Sequence, residues 1–327
     1  MNRTIRIGFV DFWKGYQPEK EFIYRSLSKR YNIILDNKTP DILFYSCFGT
    51  RHLTYSNVVR VCYYGENLIP NYNICDYSIS FLRDSIYGRN LWLPQAIRWT
   101  GASLPTPMSD SALLERKFCN FVYSNESCGL GASLRKKVCS ALMQYRHVDC
   151  PGKVLHNMDA PELSSRLAVD WHATKIKFLR NYKFNIAFEN SSFDGYMTEK
   201  LLDAFIAGSV PIYWGSDGNV APFSKDCMIC ANDYADIDSL VERIREVDTN
   251  PSLYLDMCAA NPIRRGILAN YEETTLSFLS QIIENGFRPV LKDEFNLDPV
   301  HKLYKDKFIV TAQKCKNLAK KIIGFFR

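Results

Sequence analysis

Apolar residues in this chain fall in short, nearly unbroken runs, separated by stretches whose apolar positions recur every three or four residues. The first run is IRIGFVDF, followed by a polar amphipathic stretch from Glu19 to Arg30. Then come YNIILD, DILFYSCF, VVRVCYYG and YSISFL. Runs of this kind between helical stretches predict a mainly parallel sheet covered on both faces, since a strand buried on both sides loses polar alternation. Residues 100–111, TGASLPTPMSDS, are rich in Pro, Ser and Thr and read as a linker. A second alternating unit begins with FCNFVYS (118–124), a strand. Gly129–Tyr145 reads as a helix, SSRLAVDWHATKIKFLRNY as largely helical, KFNIAFEN as a strand, TEKLLDAFIAG as a helix and VPIYWG as a strand. Helices follow over 236–248, opened by acids, at PSLYLDMCAAN, with Pro in its first turn, and at YEETTLSFLSQIIENG, closed by Gly286. The expectation is an α/β chain of two Rossmann-like, doubly wound domains, 1–108 and 116–290, with a linker over 100–115 and a tail over 291–327. Ligands of such sheets sit beyond the carboxyl ends of the strands, in a cleft between the domains.

Composition narrows the function. The chain has 327 residues, 46% of them hydrophobic, enough for two cores. Phe 20 and Tyr 19 supply side chains that build cores and also line sugar and nucleotide pockets. The net charge of +6 is uneven, because residues 301–327 hold eight Lys or Arg and one Asp. The body is therefore near neutral, which argues against a nucleic-acid partner. No apolar run approaches the roughly 18 residues of a membrane helix, and the start of the chain has no apolar leader, so it reads as intracellular. Eleven Cys, scattered without a framework, read as reduced core residues. Cys227 and Cys230 form a single Cys-x-x-Cys far from every His, which reads as two small apolar side chains on a strand rather than a metal or redox site.

Three places carry candidate chemistry. KFNIAFEN ends in Glu189 and Asn190, and the loop SSFDGY leads to Thr198, which can cap the next helix. Glu199 and Lys200 then fall in the first helical turn, where free N–H groups and the positive dipole end collect. A Lys there opposes the dipole, and an anionic ligand such as phosphate would explain it. A solvated Lys200 beside a dipole-stabilising Glu199 is the other reading. Second, FCNFVYS runs into NESCGLGASLRKK, where Gly129 and Gly131 permit tight turns and Arg135 lies one turn into a helix. Arg135 reads as a phosphate ligand or as a surface Arg. Third, VVRVCYYGENLIP ends a strand with Gly65, Glu66 and Asn67, so Glu66 is a general base at the carboxyl edge or a loop Glu in water.

Together these pieces resemble the α1,3/4-fucosyltransferase family. FENSSFDGYMTEKLLDAFIAGSVPIYWG is similar to its donor-site signature, YYGENLIPNYNICDYSISF to the acceptor-domain motif of bacterial members, and FVYSN with the following Arg also matches. The likeness covers roughly residues 58–290, and Gly195 between Asp194 and Tyr196 departs from the usual pattern. The resemblance implies a GT-B fold with an acceptor domain over 1–108 and a GDP-fucose domain over 116–290. It implies an inverting transfer of fucose from GDP-β-L-fucose to the 3-OH of GlcNAc or Glc in N-acetyllactosamine-type glycans, giving a Lewis x-type product. GDP-fucose is then a co-substrate and no cofactor or metal is required. Glu66 matches the general base, and Arg135 and Lys200 match the diphosphate-binding cations. Asn190, Tyr196, Glu199, Ser124 and Asn125 match donor-binding positions, with Glu189, Tyr64 and Asn67 in support.

In the tail, Phe308, Ala312, Cys315, Ala319, Ile322 and Phe326 form one apolar stripe beside four lysines. Such a helix can lie on an anionic membrane, dock on the body or form a short coil. Bacterial members of the family often carry such a tail, which implies peripheral membrane contact through 302–327, near lipopolysaccharide acceptors on the cytoplasmic face. Two other readings stand beside the transferase: a GT-B enzyme using another nucleotide sugar or making an α1,4 linkage, and a non-enzymatic glycan or nucleotide binder at the membrane.

Overall fold

The apolar runs form the strands of two parallel sheets in a computed structural model, which describes residues 3–98, 108–126, 129–165, 168, 170–263 and 266–287. The chain divides into two compact units. One takes the described residues of 1–101 and 265–310, the other those of 102–264.

The first unit has strands β1 (Thr4–Val10), β2 (Asn32–Leu35), β3 (Ile42–Tyr45), β4 (Val59–Tyr63), β5 (Tyr77–Ser80) and β6 (Asn90–Trp92). They lie in the order β2-β1-β3-β4-β5-β6, all parallel. β3 is buried throughout and β1 nearly so, as their continuous apolar runs require. The stretch expected to be helical over Glu19–Arg30 breaks at Glu21, whose backbone is extended, and helix α1 covers only Phe22–Ser28. Strand β6 has no counterpart in the sequence reading. Its first residue, Asn90, is buried and polar, accepting from Ser78 and Ser80 and donating to the carbonyls of Leu82 and Asp84. Hydropathy therefore does not mark it. A short helix α2 (Gln95–Arg98) follows β6.

The second unit starts inside the expected linker. Ser109 accepts from the amide of Ala112 and caps helix α3 (Asp110–Leu114). Then come β7 (Lys117–Asn120), α4 (Gly129–Tyr145), β8 (Val148–Asp149), α5 (Trp171–Leu179), β9 (Tyr182–Phe188), α6 (Glu199–Ile206), β10 (Val210–Trp214), β11 (Ile229–Cys230), α7 (Ile237–Thr249) and α8 (Pro251–Ala259). The strand expected over 118–124 ends at Asn120, and the long helical reading before β9 contracts to α5. Cys230 sits in β11 and Cys227 in the turn before it, both buried thiols.

Helix α9 (Ile267–Glu284) closes the described chain. The sequence reading runs the second domain to residue 290, yet α9 packs on the first unit. Tyr31 Oη donates to Ser280 Oγ at 2.9 Å, Arg3 donates to the Ile283 carbonyl at 3.1 Å, and the Tyr77 and Phe278 rings meet edge to face. Amphipathicity marked the helix but not which sheet its apolar face would cover. The tail over 291–327 lies outside the described residues.

The second sheet runs β11-β10-β9-β7-β8, all parallel. Numbered within its own unit, each sheet begins with the order 2-1-3-4-5. The chain reverses direction across the sheet between β1 and β3 in one unit, and between β7 and β9 in the other. Crevices at such switch points are where ligands of open α/β sheets bind.

Candidate active site

Glu189 and Asn190 follow directly on β9, and the helix after β7 lies against them. The Gly131 amide donates to the Asn190 carbonyl at 2.9 Å. A Cβ on Gly131 would fall on the Glu189 carbonyl oxygen and 2.7 Å from the Trp214 ring, so only glycine lets α4 approach this edge. Gly129 adopts φ +75, which favours glycine as well.

That approach buries Arg135, one turn into α4, at 2% exposure, which removes the surface-Arg reading. Its guanidinium lies 3.9 Å over the Tyr123 ring. Nη1 donates to Asn190 Oδ1 at 3.0 Å, and Nη2 donates to the Asn125 carbonyl at 2.5 Å. Tyr123 is in turn fixed to the β9 backbone: its hydroxyl accepts from the Phe188 amide at 3.0 Å and faces the Ile186 and Phe188 carbonyls. The extended chain after β7 and the end of β9 therefore hold one cation between them.

A second cation meets the side chain of Glu189. Thr198 caps α6, its hydroxyl oxygen accepting from the Lys200 amide. The Thr198 amide donates to Glu189 Oε1 at 2.7 Å, its hydroxyl donates to Oε2 at 2.8 Å, and Lys200 Nζ donates to Oε2 at 3.1 Å. Glu189 has no exposed surface. Burial pushes its pKa up, while Lys200 and the Thr198 bonds oppose the rise. Burial works against the charge of Lys200, but Glu189 and Glu199 carry its pKa well above the ordinary lysine range, so it stays an ammonium. Glu199 Oε1 is 3.6 Å from Lys200 Nζ and keeps 28% of its side chain exposed. Burial raises its pKa too, but Lys200 and Lys175 outweigh that and hold it below the usual carboxylate range. Lys200 is thus largely buried among carboxylates rather than solvated.

Behind Glu199, α5 supplies a layer absent from the sequence reading. Asp203 is sealed, with His172 Nε2 at 2.5 Å from one oxygen and Lys175 Nζ donating to the other at 2.7 Å. Burial opposes ionisation of Asp203, but Lys175 and His172 bring its pKa below the ordinary value of 3.8. The hydrogen bond to Asp203 raises the pKa of His172. LLDAFI sets Asp203, an acid one turn after Glu199, among apolar residues, but nothing local marks its partners on α5. Asp203→Asn should lower stability at neutral pH by about 3–5 kcal/mol, because Lys175 is left buried without its countercharge. Since the aspartate pKa is depressed by folding, this stabilisation is present above 3.8 and fades as pH falls through the lower folded value. Urea unfolding should show the gap between wild type and variant widening slightly from about pH 7 to about 5.5 as His172 protonates, level down to about pH 4 and narrowing below it.

The remaining expected donor residues vary in placement. Tyr196 is buried, its carbonyl accepting from Tyr213 Oη at 3.4 Å. Asn125 meets Arg135 through its backbone. Ser124 is exposed. Asp194 accepts from Asn219 Nδ2 at 3.1 Å, which gives it a loop-fixing contact. The loop is also pinned at Ser192, which hydrogen-bonds Asp217 in the turn after β10. Glu66, Tyr64 and Asn67 belong to the first unit, in the loop after β4, where Glu66 is exposed and the other two half-buried.

Two parallel α/β units, one with fixed cations at the carboxyl edge of its switch point, are the make-up of a GT-B glycosyltransferase. A crystal structure of an α1,3-fucosyltransferase with GDP is similar over 86% of this chain and 91% of its own, with TM-score 0.70 and 26% identity. Its counterpart with GDP-fucose gives 0.68, 25% identity and coverage of 87% and 91%. Residues 7–98 match the model of the Alpha-(1,3)-fucosyltransferase FucT N-terminal domain, and residues 115–259 match Glycosyltransferase family 10 (fucosyltransferase) C-term. The chain belongs to glycosyltransferase family 10, the fucosyltransferases. Alpha-(1,3)-fucosyltransferase FucT of Helicobacter pylori is 29% identical over 331 residues, covering 86% of this chain and 66% of its own length. GDP-fucose protein O-fucosyltransferase 3 of Gallus gallus is 32% identical over 154 residues, or 46% of this chain and 31% of that protein. The chain thus spans less than two thirds of the length of these last two relatives.

Proposed function

We propose that the protein transfers L-fucose from GDP-β-L-fucose to the 3-OH of a GlcNAc or Glc residue in a lactosamine-type glycan, with inversion to an α1,3 linkage. The observation that carries the donor half is the buried pair of cations, Arg135 and Lys200, at the β7/β9 switch point. A diphosphate leaving group gains negative charge as the bond to fucose C1 breaks. A guanidinium and an ammonium held in place before the reaction stabilise that charge without reorganisation. They are also the basis for proposing that the reaction runs without a metal ion. Asn190 and Glu199 accept hydrogen bonds from ribose and fucose hydroxyls, and Glu199 suits this role because it stays ionised and partly open. Glu189 is sealed and orients Thr198 and Lys200 instead. On the first unit, Glu66 takes the proton of the acceptor hydroxyl as its oxygen attacks C1.

A saccharide acceptor is favoured over a protein hydroxyl because the first unit matches the fucosyltransferase N-terminal model over nearly its whole sheet. The basic stripe over 302–327 is the segment we assign to anionic membrane contact. No helix among the described residues is long and apolar enough to cross a bilayer.

A donor panel tests the reading. With N-acetyllactosamine present, GDP-fucose should support turnover, and GDP-mannose and UDP-galactose should not. Turnover with either of the latter and none with GDP-fucose would overturn the donor assignment.

A further inference from the structure

The first unit exposes large apolar side chains in one place that its own packing does not use. Trp13 is 42% and Phe48 54% exposed, and their rings meet edge to face at 6.2 Å. Trp13 stands on a stack of Phe12 and Tyr16, with centroids 3.9 Å apart. Leu53, in the turn after Phe48, and Leu68, two residues after Glu66, are exposed as well. A contiguous exposed apolar patch is a feature of binding surfaces.

The cluster is built rather than incidental. Trp13 follows β1 and Phe48 follows β3, the two strands at this unit's switch point. Asp11, at φ 61, staples the two loops together. Its carbonyl accepts from the Phe48 amide at 3.0 Å, and its carboxylate accepts from the amides of Arg51 and His52 at 3.0 and 2.9 Å. His52 Nδ1 lies 2.6 Å from the same carboxylate and donates to it. A Cβ on Gly49 would strike Asp11 Oδ1, so glycine is needed at the staple. The far nitrogen of the His52 ring, Nε2, is buried without a hydrogen-bond partner among the described residues. A buried unpaired nitrogen of this kind costs stability.

The next strand along the sheet is β4, which delivers Glu66. Contacts link the two places: the His52 ring stacks on Tyr45 at 3.9 Å, and Tyr45 meets Tyr64 edge to face at 6.2 Å. Burial pushes the Cys47 thiol up, and the charge of Glu66 adds to that, so residue 47 lies within reach of the base's field.

We propose that Trp13 and Phe48 form the platform on which a pyranose ring of the acceptor chain stacks, beside Glu66. The proposal rests on the transferase reading for its substrate class. The apolar C–H face of a pyranose fits an aromatic surface, and the rigid loops mean that little ordering has to accompany binding. The platform selects acceptor and contributes nothing to donor binding.

Saturation-transfer NMR with N-acetyllactosamine tests it directly, together with steady-state kinetics, for wild type, Trp13→Ala and Phe48→Ala. Tyr87→Ala, which removes an exposed aromatic elsewhere on the unit, is the control. Wild type and Tyr87→Ala should transfer saturation to the sugar. The two platform variants should lose it and show an acceptor KM raised roughly tenfold or more, with KM for GDP-fucose and the melting temperature unchanged. Unchanged saccharide binding in both variants would overturn the proposal, as would equal losses for donor and acceptor with a lowered melting temperature. Failure of the transferase reading appears separately, as wild-type protein that binds the saccharide but releases no GDP from GDP-fucose.

Discussion

Glu66→Gln should lower kcat for fucosyl transfer by about 10²–10⁴-fold, while GDP-fucose binds as tightly as to wild type. The acceptor hydroxyl is a poor nucleophile until its proton has somewhere to go, and Gln offers no basic site at neutral pH. The substitution is nearly isosteric, and Glu66 is exposed, so no packing is lost. Arg135 and Lys200 belong to the other unit and are untouched. Calorimetry with GDP-fucose beside initial rates separates the two effects. A loss of donor binding in this variant, or a rate within a few fold of wild type, would remove Glu66 from the role of base.

Arg135→Ala should be nearly as damaging, by a different route. On the proposed reading it removes one of the two cations that meet the leaving diphosphate, with an expected loss of about 10²–10³-fold in kcat. GDP binding should weaken as well, because the charge is present on GDP before and after transfer. Stability should also fall, since the guanidinium is buried and serves Asn190, Asn125 and the face of Tyr123. Arg135→Lys should recover little. A lysine has a single donor head and cannot meet Asn190 and the Asn125 carbonyl with a planar fork. Paired measurements of GDP affinity and melting temperature separate the outcomes. Weakened GDP binding, measured well below the lowered melting temperature where the variant is still folded, would assign the effect to the site rather than to collapse of the edge.

How much of this was legible in the sequence depended on the physics involved. Parallel strands buried on both faces print themselves as apolar runs, and β1, β3, β4, β9 and β10 were read that way. The α4 boundaries, Gly129 and Tyr145, coincided with the structure. Strand β6 was missed because its key residue, Asn90, is a buried polar hub. The packing of α9 on the first unit was missed because an apolar face does not name its partner. At the site, FENSSFDGYMTEK and the Arg of α4 were visible as motif, and their meeting at one edge follows from parallel order. The His172–Lys175–Asp203 layer was not visible, because it depends on α5 packing against α6 and not on local spacing. The platform on the first unit was hidden for a similar reason. Trp13 and Phe48 are 35 residues apart in the chain and become neighbours only because β1 and β3 pair.

The central claim is a GDP-fucose-dependent transferase whose own cations carry the leaving group. The most direct measurement is the product formed from GDP-fucose and N-acetyllactosamine by purified protein in the presence of EDTA, with linkage determined by NMR. An α1,3-fucosylated trisaccharide, formed with one GDP released per product and at the same rate without the chelator, is the predicted result. No saccharide product from GDP-fucose, or product formation that stops with EDTA and returns with a divalent cation, would contradict it.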